Sequence, residues 1–160
     1  MSHAPNAAQL PDSPFATFSL RAACSADAAK LANLLQQLGN DDPRPDPTLL
    51  ALRLAELPAS REVLVAERDG QLLGTCTLNL IEHLAHNFAR SAVLEDMVVD
   101  SQQRGLGIGQ ALIEKAAERA RAWGCYKLAL STNQNREVAH RFYAALGFQP
   151  HGISLALPLG

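Results

Sequence analysis

The chain has 160 residues, 48% of them hydrophobic, enough for one domain with a single core and too few for a second catalytic domain. Its 14 basic and 16 acidic residues give a net charge of -2 with no run of Lys or Arg, and aromatics make up 5%. This composition offers neither the electrostatic footprint nor the base-stacking surface of a nucleic-acid-binding protein, so nucleic acid is not an expected partner.

Residues 1–14 carry Pro5, Pro11 and Pro14 among small polar residues, with no cationic start and no apolar core of signal-peptide length. They read as a flexible leader before a single domain over residues 15–160. Cys24, Cys76 and Cys125 are widely spaced and form no Cys-x-x-Cys, which argues against a disulfide framework or a thiolate zinc site. Reduced thiols of a cytoplasmic protein are the default, and no membrane association is expected.

Phe15 to Ala22 has the residue types of a first strand. Ser25 then stands as N-cap of a helix whose Leu31, Leu34, Leu35 and Leu38 mark one face, with Gly39 as its stop. Asn40 to Pro47 holds three prolines and three aspartates and cannot be helical. Asp46-Pro47 looks like the cap and first position of a second helix, running through Leu57 and closed by Pro58. Glu62 to Glu67 and Gln71 to Ile81 flank Arg68-Asp69-Gly70, which predicts an antiparallel hairpin. In the polar segment Glu82 to Arg90, His83 and His86 find no third ligand at a convincing spacing except Glu82, so no metal site is expected.

Ser91 to Val99 reads as the central strand. Strict alternation puts Val93, Glu95, Met97 and Val99 on one face and Leu94, Asp96 and Val98 on the other. Glu95 and Asp96 thus interrupt an apolar run, and a buried carboxylate is costly unless hydrogen-bonded or functional, which makes both candidate general bases. Arg104-Gly105-Leu106-Gly107-Ile108-Gly109 follows, leading into a helix from Ile108 to Trp123 that Gly124 ends. Glycines here let consecutive N–H groups converge on an anion, and the helix start adds partial positive charge. Cys125 to Ser131 is a further strand, Arg136 to Leu146 a further helix, and Ile153 to Leu157 a last strand.

Two nucleotide folds share a strand, Gly-rich turn and helix, and neither fits. A P-loop needs Lys-Ser or Lys-Thr after the glycines, and none is present. A dinucleotide fingerprint needs Gly or Ala at 110, where the chain has Gln110, and an acidic residue ending the next strand, where it has Ser131-Thr132. The turn instead fits Arg/Gln-x-x-Gly-x-Gly/Ala, and with Val98-Val99 before it and Ala139, Phe142, Tyr143, Gly147 and Phe148 after it, the chain resembles the GNAT acetyltransferase superfamily. The order β-α-α-β-β-β-α-β-α-β matches that layout from roughly Thr17 to Leu157, an α+β domain with a mixed, mostly antiparallel twisted sheet flanked by helices. Leu94-Glu95-Asp96 and Gly124-Cys125-Tyr126-Lys127 locally resemble the glucosamine-phosphate N-acetyltransferase branch, without carrying its sugar specificity across.

The resemblance implies a transferase that uses acetyl-CoA as co-substrate and no metal. Arg104, Gly105, Leu106, Gly107, Ile108 and Gly109 would bind its pyrophosphate, and Met97, Val98 and Val99 its pantetheine arm and carbonyl. Asn135 is a further candidate for that arm, although the usual Asn stands three residues before the Ala and Asn135 stands four before Ala139. Glu95 is the implied base, with Asp96 in reserve and a water relay as the alternative, and Tyr143 the implied acid. The acceptor is an amine of a small molecule or a protein, its site walled by the Asn40 to Pro47 loop and the helices beside it, with Glu82 to Arg90 and the tail contributing. The apolar tail Ile153 to Leu159 suggests a homodimer. The rival from another class is a catalytically silent CoA-binding regulatory module, against which Tyr143 and Glu95 together argue.

Overall fold

The computed structural model describes residues 17–39 and 43–159. Its sheet has the order β1-β2-β3-β4-β5, so neighbours in space are neighbours in sequence. β1 (Ser19–Ala22), β2 (Arg61–Arg68), β3 (Gln71–Glu82) and β4 (Arg90–Val99) pair antiparallel. β5 (Cys125–Leu130) runs parallel to β4, because α4 (Ile108–Ala122) carries the chain back along the sheet before β5 begins. The β2–β3 turn has Asp69 at φ 50° and Gly70 at φ 75°, the two left-handed residues a tight hairpin requires.

Alternation along the strands sorts the core into two layers. Leu64, Leu73, Leu78, Ala92 and Leu94 face α4, where Ile108, Leu112, Ile113, Ala116 and Ala120 complete a buried cluster. Val63, Val65, Leu72 and Val98 face the other way, against α1 (Ala28–Leu35) and α2 (Pro47–Ala55), meeting Leu31, Leu34 and Leu54.

The start of α1 differs from the sequence reading. Cys24, not Ser25, is the cap residue, and Ser25–Asp27 forms a 3-10 turn ahead of the helix. The Cys24 N–H donates to Asp27 Oδ2 at 2.8 Å, so the capping oxygen comes from three residues further on. Asp27 wins this role because Arg21 on β1 already holds it, through Nη1 and Nη2 at 2.7 and 2.8 Å, and joins it to Glu67 of β2 through Nε at 2.6 Å. The Arg21 guanidinium lowers the Asp27 carboxyl from 3.8 to about 2, against the opposing effect of burial. α2 starts as expected, Asp46 Oδ1 accepting from the Leu49 N–H at 2.8 Å with Pro47 first in the helix, and it ends at Ala55, short of Leu57.

The last strand is not formed. Residues 153–157 are unpaired and Ile153, Leu155, Leu157 and Leu159 are exposed. Pro150 and Pro158 bracket this stretch and remove two N–H donors, and among the described residues neither a ladder nor an apolar surface receives its side chains. The proposed leader, residues 15 and 16 of the first strand and residues 40–42 of the proline-rich loop lie outside the described residues. Among the described residues no helix is long and apolar enough to cross a membrane.

Candidate active site

The site is built on a fault in β4. Pairing with β3 matches Thr75 to Val98 and Thr77 to Glu95, so β4 holds one residue more than its partner over the same span. This is a bulge, and Asp96 takes it up with a left-handed φ of 50°. Strict alternation therefore fails at this point. Leu94 packs against α4, but after the bulge it is Met97 and Val99 that turn to that cluster while Val98 turns to α1 and α2. Glu95 and Asp96, adjacent in sequence, both end up lining one cleft. They are exposed to it, not buried within an apolar layer as the sequence reading had it.

That cleft has a volume of about 340 Å³. Its floor is the polar row Thr75, Thr77 and Asn79 of β3, and its walls come from Leu31 and Leu35 of α1 and Leu50, Leu54 and Leu57 of α2. The Thr77 hydroxyl donates to Asp96 Oδ2 at 3.2 Å, fixing that carboxylate at the bulge. Among the described residues neither Glu82 to Arg90 nor the tail lines the cleft. His83 Nε2 lies 2.8 Å from Ser91 Oγ, and no group of three or more His, Cys, Asp or Glu suited to a metal occurs among the described residues.

Beyond the Leu94–Leu130 pair β4 and β5 part, which leaves Met97 to Val99 without a strand partner on that side. β4 then leads into a turn held from several directions. The Asp100 N–H donates to the Leu73 carbonyl at 2.9 Å, and the Ser101 N–H to Gln37 Oε1 at 3.0 Å. Arg68 Nη2 donates to Gln103 Oε1 at 2.7 Å. Gly105 and Gly107 have φ of 80° and 77°, and a Cβ built on either meets nothing within 4 Å, so open space lies before the backbone at the start of α4. Gly109 has a different task. It is helical, and a Cβ there would come within 3.2 Å of Phe142 Cζ and 3.5 Å of Met97 Cε, so it lets α5 (Glu137–Ala145) approach α4 and β4.

Tyr143 sits on α5, half-buried, its ring centroid 5.3 Å from Phe142 and 5.7 Å from Phe148. Burial pushes its hydroxyl pKa up, with the Arg136 charge in partial opposition and Cys76 adding to the rise, so the proton is held firmly at neutral pH. Tyr143 packs with the α4 layer and Glu95 with the cleft under α1 and α2. The two thus lie on opposite faces of the sheet, Glu95 next in sequence to the Leu94–Leu130 pair beyond which β4 and β5 part. Asn135 is exposed in the turn before α5, its N–H donating to Asn133 Oδ1 at 2.9 Å.

Residues 29–148 match the model of the Acetyltransferase (GNAT) family. The chain belongs to that family. It is 31% identical over 120 residues to a glucosamine 6-phosphate N-acetyltransferase of Trypanosoma brucei brucei, covering 71% of this chain and 80% of the relative. A glucosamine 6-phosphate N-acetyltransferase 1 of Oryza sativa subsp. japonica is 33% identical over 128 residues, covering 78% and 76%. The crystal structure of a Trypanosoma brucei acetyltransferase superposes with a TM-score of 0.76 at 28% identity, covering 89% of this chain and 100% of that one.

As a GNAT acetyltransferase the chain is an acyl-CoA-dependent N-acetyltransferase, and its residues fit the co-substrate. The open glycine turn suits a pyrophosphate, and Thr132 Oγ1, just past the end of β5, is buried with no hydrogen-bond partner among the described residues. Neither Thr132 in this role nor Arg53, Arg61 and Asn79 of the cleft is marked in the sequence. None stands in a motif, and only the pairing of distant strands and the docking of α2 bring the cleft residues together.

Proposed function

We propose that the chain moves an acetyl group from acetyl-CoA directly onto a primary amine of a small molecule or a peptide, with Glu95 as base and Tyr143 as acid. The bulge at Asp96 carries this reading, because it turns a carboxylate into the cleft at the point where β4 leaves β5 and exposes the amides of Met97 to Val99. Acetyl-CoA, when bound, supplies the acetyl group on an activated thioester carbonyl.

The chain's own residues would do the rest. The N–H groups of Arg104 to Gly109 and the start of α4 hold the pyrophosphate. Those of Met97 to Val99 orient the pantetheine, with Asn135 beside it, and donate to the carbonyl oxygen. An amine of pKa about 10.4 is largely protonated at neutral pH, a deficit of roughly 4–5 kcal/mol, so a base in the cleft matters most for such acceptors. Asp96 is engaged by Thr77, whereas Glu95 takes part in none of the described ion pairs, which favours Glu95 as the group that accepts the amine proton. The Tyr143 hydroxyl delivers its proton to the departing sulfur.

The relatives' named acceptor, glucosamine 6-phosphate, contributes only its primary amine to this reading. The test is a panel of amines with acetyl-CoA, followed by release of free thiol. Turnover with a primary amine is expected. Tight acetyl-CoA binding with no thiol release across the panel points instead to a silent binding module. The exposed Ile153, Leu155, Leu157 and Leu159 further support a homodimer in which the tail is covered, and a monomer by light scattering would remove that part.

A further inference from the structure

The acceptor cleft carries charge of both signs at separate ends. Arg53, in the last turn of α2, and Arg61, the first residue of β2, flank the short Glu56–Ser60 connection, and both line the cleft. Glu95 and Asp96 line it at the bulge, beside the parting of β4 and β5. Arg61 is preset: its Nε donates to Asn79 Oδ1 at 2.7 Å, across a paired position of β2 and β3, which leaves both Nη groups for a ligand. Among the described residues neither Arg53 nor Arg61 joins an ion pair, although Arg21, Arg90, Arg119 and Arg141 all do. Two guanidiniums in the mouth of a cleft, unpaired by any described carboxylate, are a recognition device for an anion with several oxygens.

Geometry sets the size of the guest. Arg61 pairs with Asn79 and Glu95 with Thr77, so Arg61 and Glu95 lie two strands and one same-face step apart, a Cα separation of about 12 Å. Both side chains line the cleft, and a span of that length suits one small molecule. We infer that the acceptor is a small primary amine bearing a phosphoryl group, phosphate or phosphonate, held by Arg53 and Arg61 while its amine meets Glu95. This rests on the acetyl-transfer reading for the amine end alone, since the anion end is a binding claim.

Two measurements separate the claims. In calorimetry, 2-aminoethylphosphonate should bind the parent at least about tenfold more tightly than propylamine, with β-alanine between them, and the Arg53→Gln, Arg61→Gln double variant should lose the difference while its affinity for acetyl-CoA is unchanged. In thiol-release assays the same preference should appear in KM, and Arg61→Lys should restore part of it. Equal binding of phosphonate and propylamine, or a double variant that keeps the preference, overturns the inference whether or not thiol is released. Phosphonate binding without any thiol release sustains the clamp and removes only the catalytic reading.

Discussion

Under α4 the sheet presents Leu64, Leu73, Leu78 and Leu94, all almost wholly buried, and even the gap above Gly74 is closed. A Cβ there would sit 3.1 Å from Ile108 Cγ2, Leu112 Cδ1 and the Val98 carbonyl oxygen. Under α1 and α2 the same strands present Thr75, Thr77 and Asn79 as the floor of an open cleft. The α4 side is therefore a packed platform on which the glycine turn and Tyr143 are mounted, while the α1–α2 side trades packing for a polar floor. In the proposed reading the co-substrate meets the tightly packed layer and the acceptor the open one.

The contrast is sharpest in chemistry. Tyr143→Phe keeps the ring contacts with Phe142 and Phe148 but removes the proton, so turnover at pH 7 should fall by roughly 10²–10³-fold with acetyl-CoA affinity nearly constant. The defect should shrink as pH rises past the pKa of an ordinary thiol, about 8.5, because the departing sulfur then needs no proton. Parental turnover in the Phe variant, with chemistry shown to limit the rate, takes Tyr143 out of the mechanism. Packing is the next lever. Gly74→Ala should cost about 1–3 kcal/mol in denaturant unfolding by overfilling the α4 layer, and an unchanged midpoint would mean that layer is looser than described.

The α1–α2 side should respond to acid. Asp27 is 5% exposed and has its pKa lowered from 3.8 to about 2 by Arg21. Since the folded value lies below the unfolded one, its contribution, about 2 kcal/mol, is complete above pH 4 or so and fades as pH falls through 2. Asp27→Asn should flatten that limb of the stability profile, and a limb of unchanged slope would assign it to other carboxylates. The smallest expected effect belongs to the turn. Gly107→Asp places a side chain and a negative charge in the open space before α4, weakening acetyl-CoA binding by at least about tenfold, or about 1.4 kcal/mol, in a folded protein. Unaltered calorimetric affinity would place the pyrophosphate elsewhere.

What could be read from the sequence follows the same division. The glycine turn, α4 and the Phe142-Tyr143 helix are local in the chain, and their residues could be named because short motifs shared with the family mark them. Asp46-Pro47 capped α2 by a signal just as local. The alternation through Glu95 to Val99 could not be read correctly, because the bulge arises from β4's count against β3 and β4's own letters do not show it. The capping oxygen of Asp27 was hidden behind Ser25, since its claim depends on Arg21 and Glu67, one of them 40 residues away in sequence. Arg53 and Arg61 belong to separate elements with no shared pattern, and the cleft that unites them exists only once the sheet is assembled.

The left-handed Asp96 also bears on how such a protein can change. A residue inserted into a strand normally reverses every side chain beyond it and ruins the fold. Here the reversal is the working state: it sends Val98 to one layer, Met97 and Val99 to the other, and leaves two acids side by side. Deleting Asp96 would restore a regular strand with Met97, Val98 and Val99 on their present faces, so what the extra residue adds is a second acid at the cleft. Substitution at this position is restricted too, with Asn and Gly able to hold a φ of 50° and β-branched residues not. The length of β4 at this one point thus decides which acids meet the cleft.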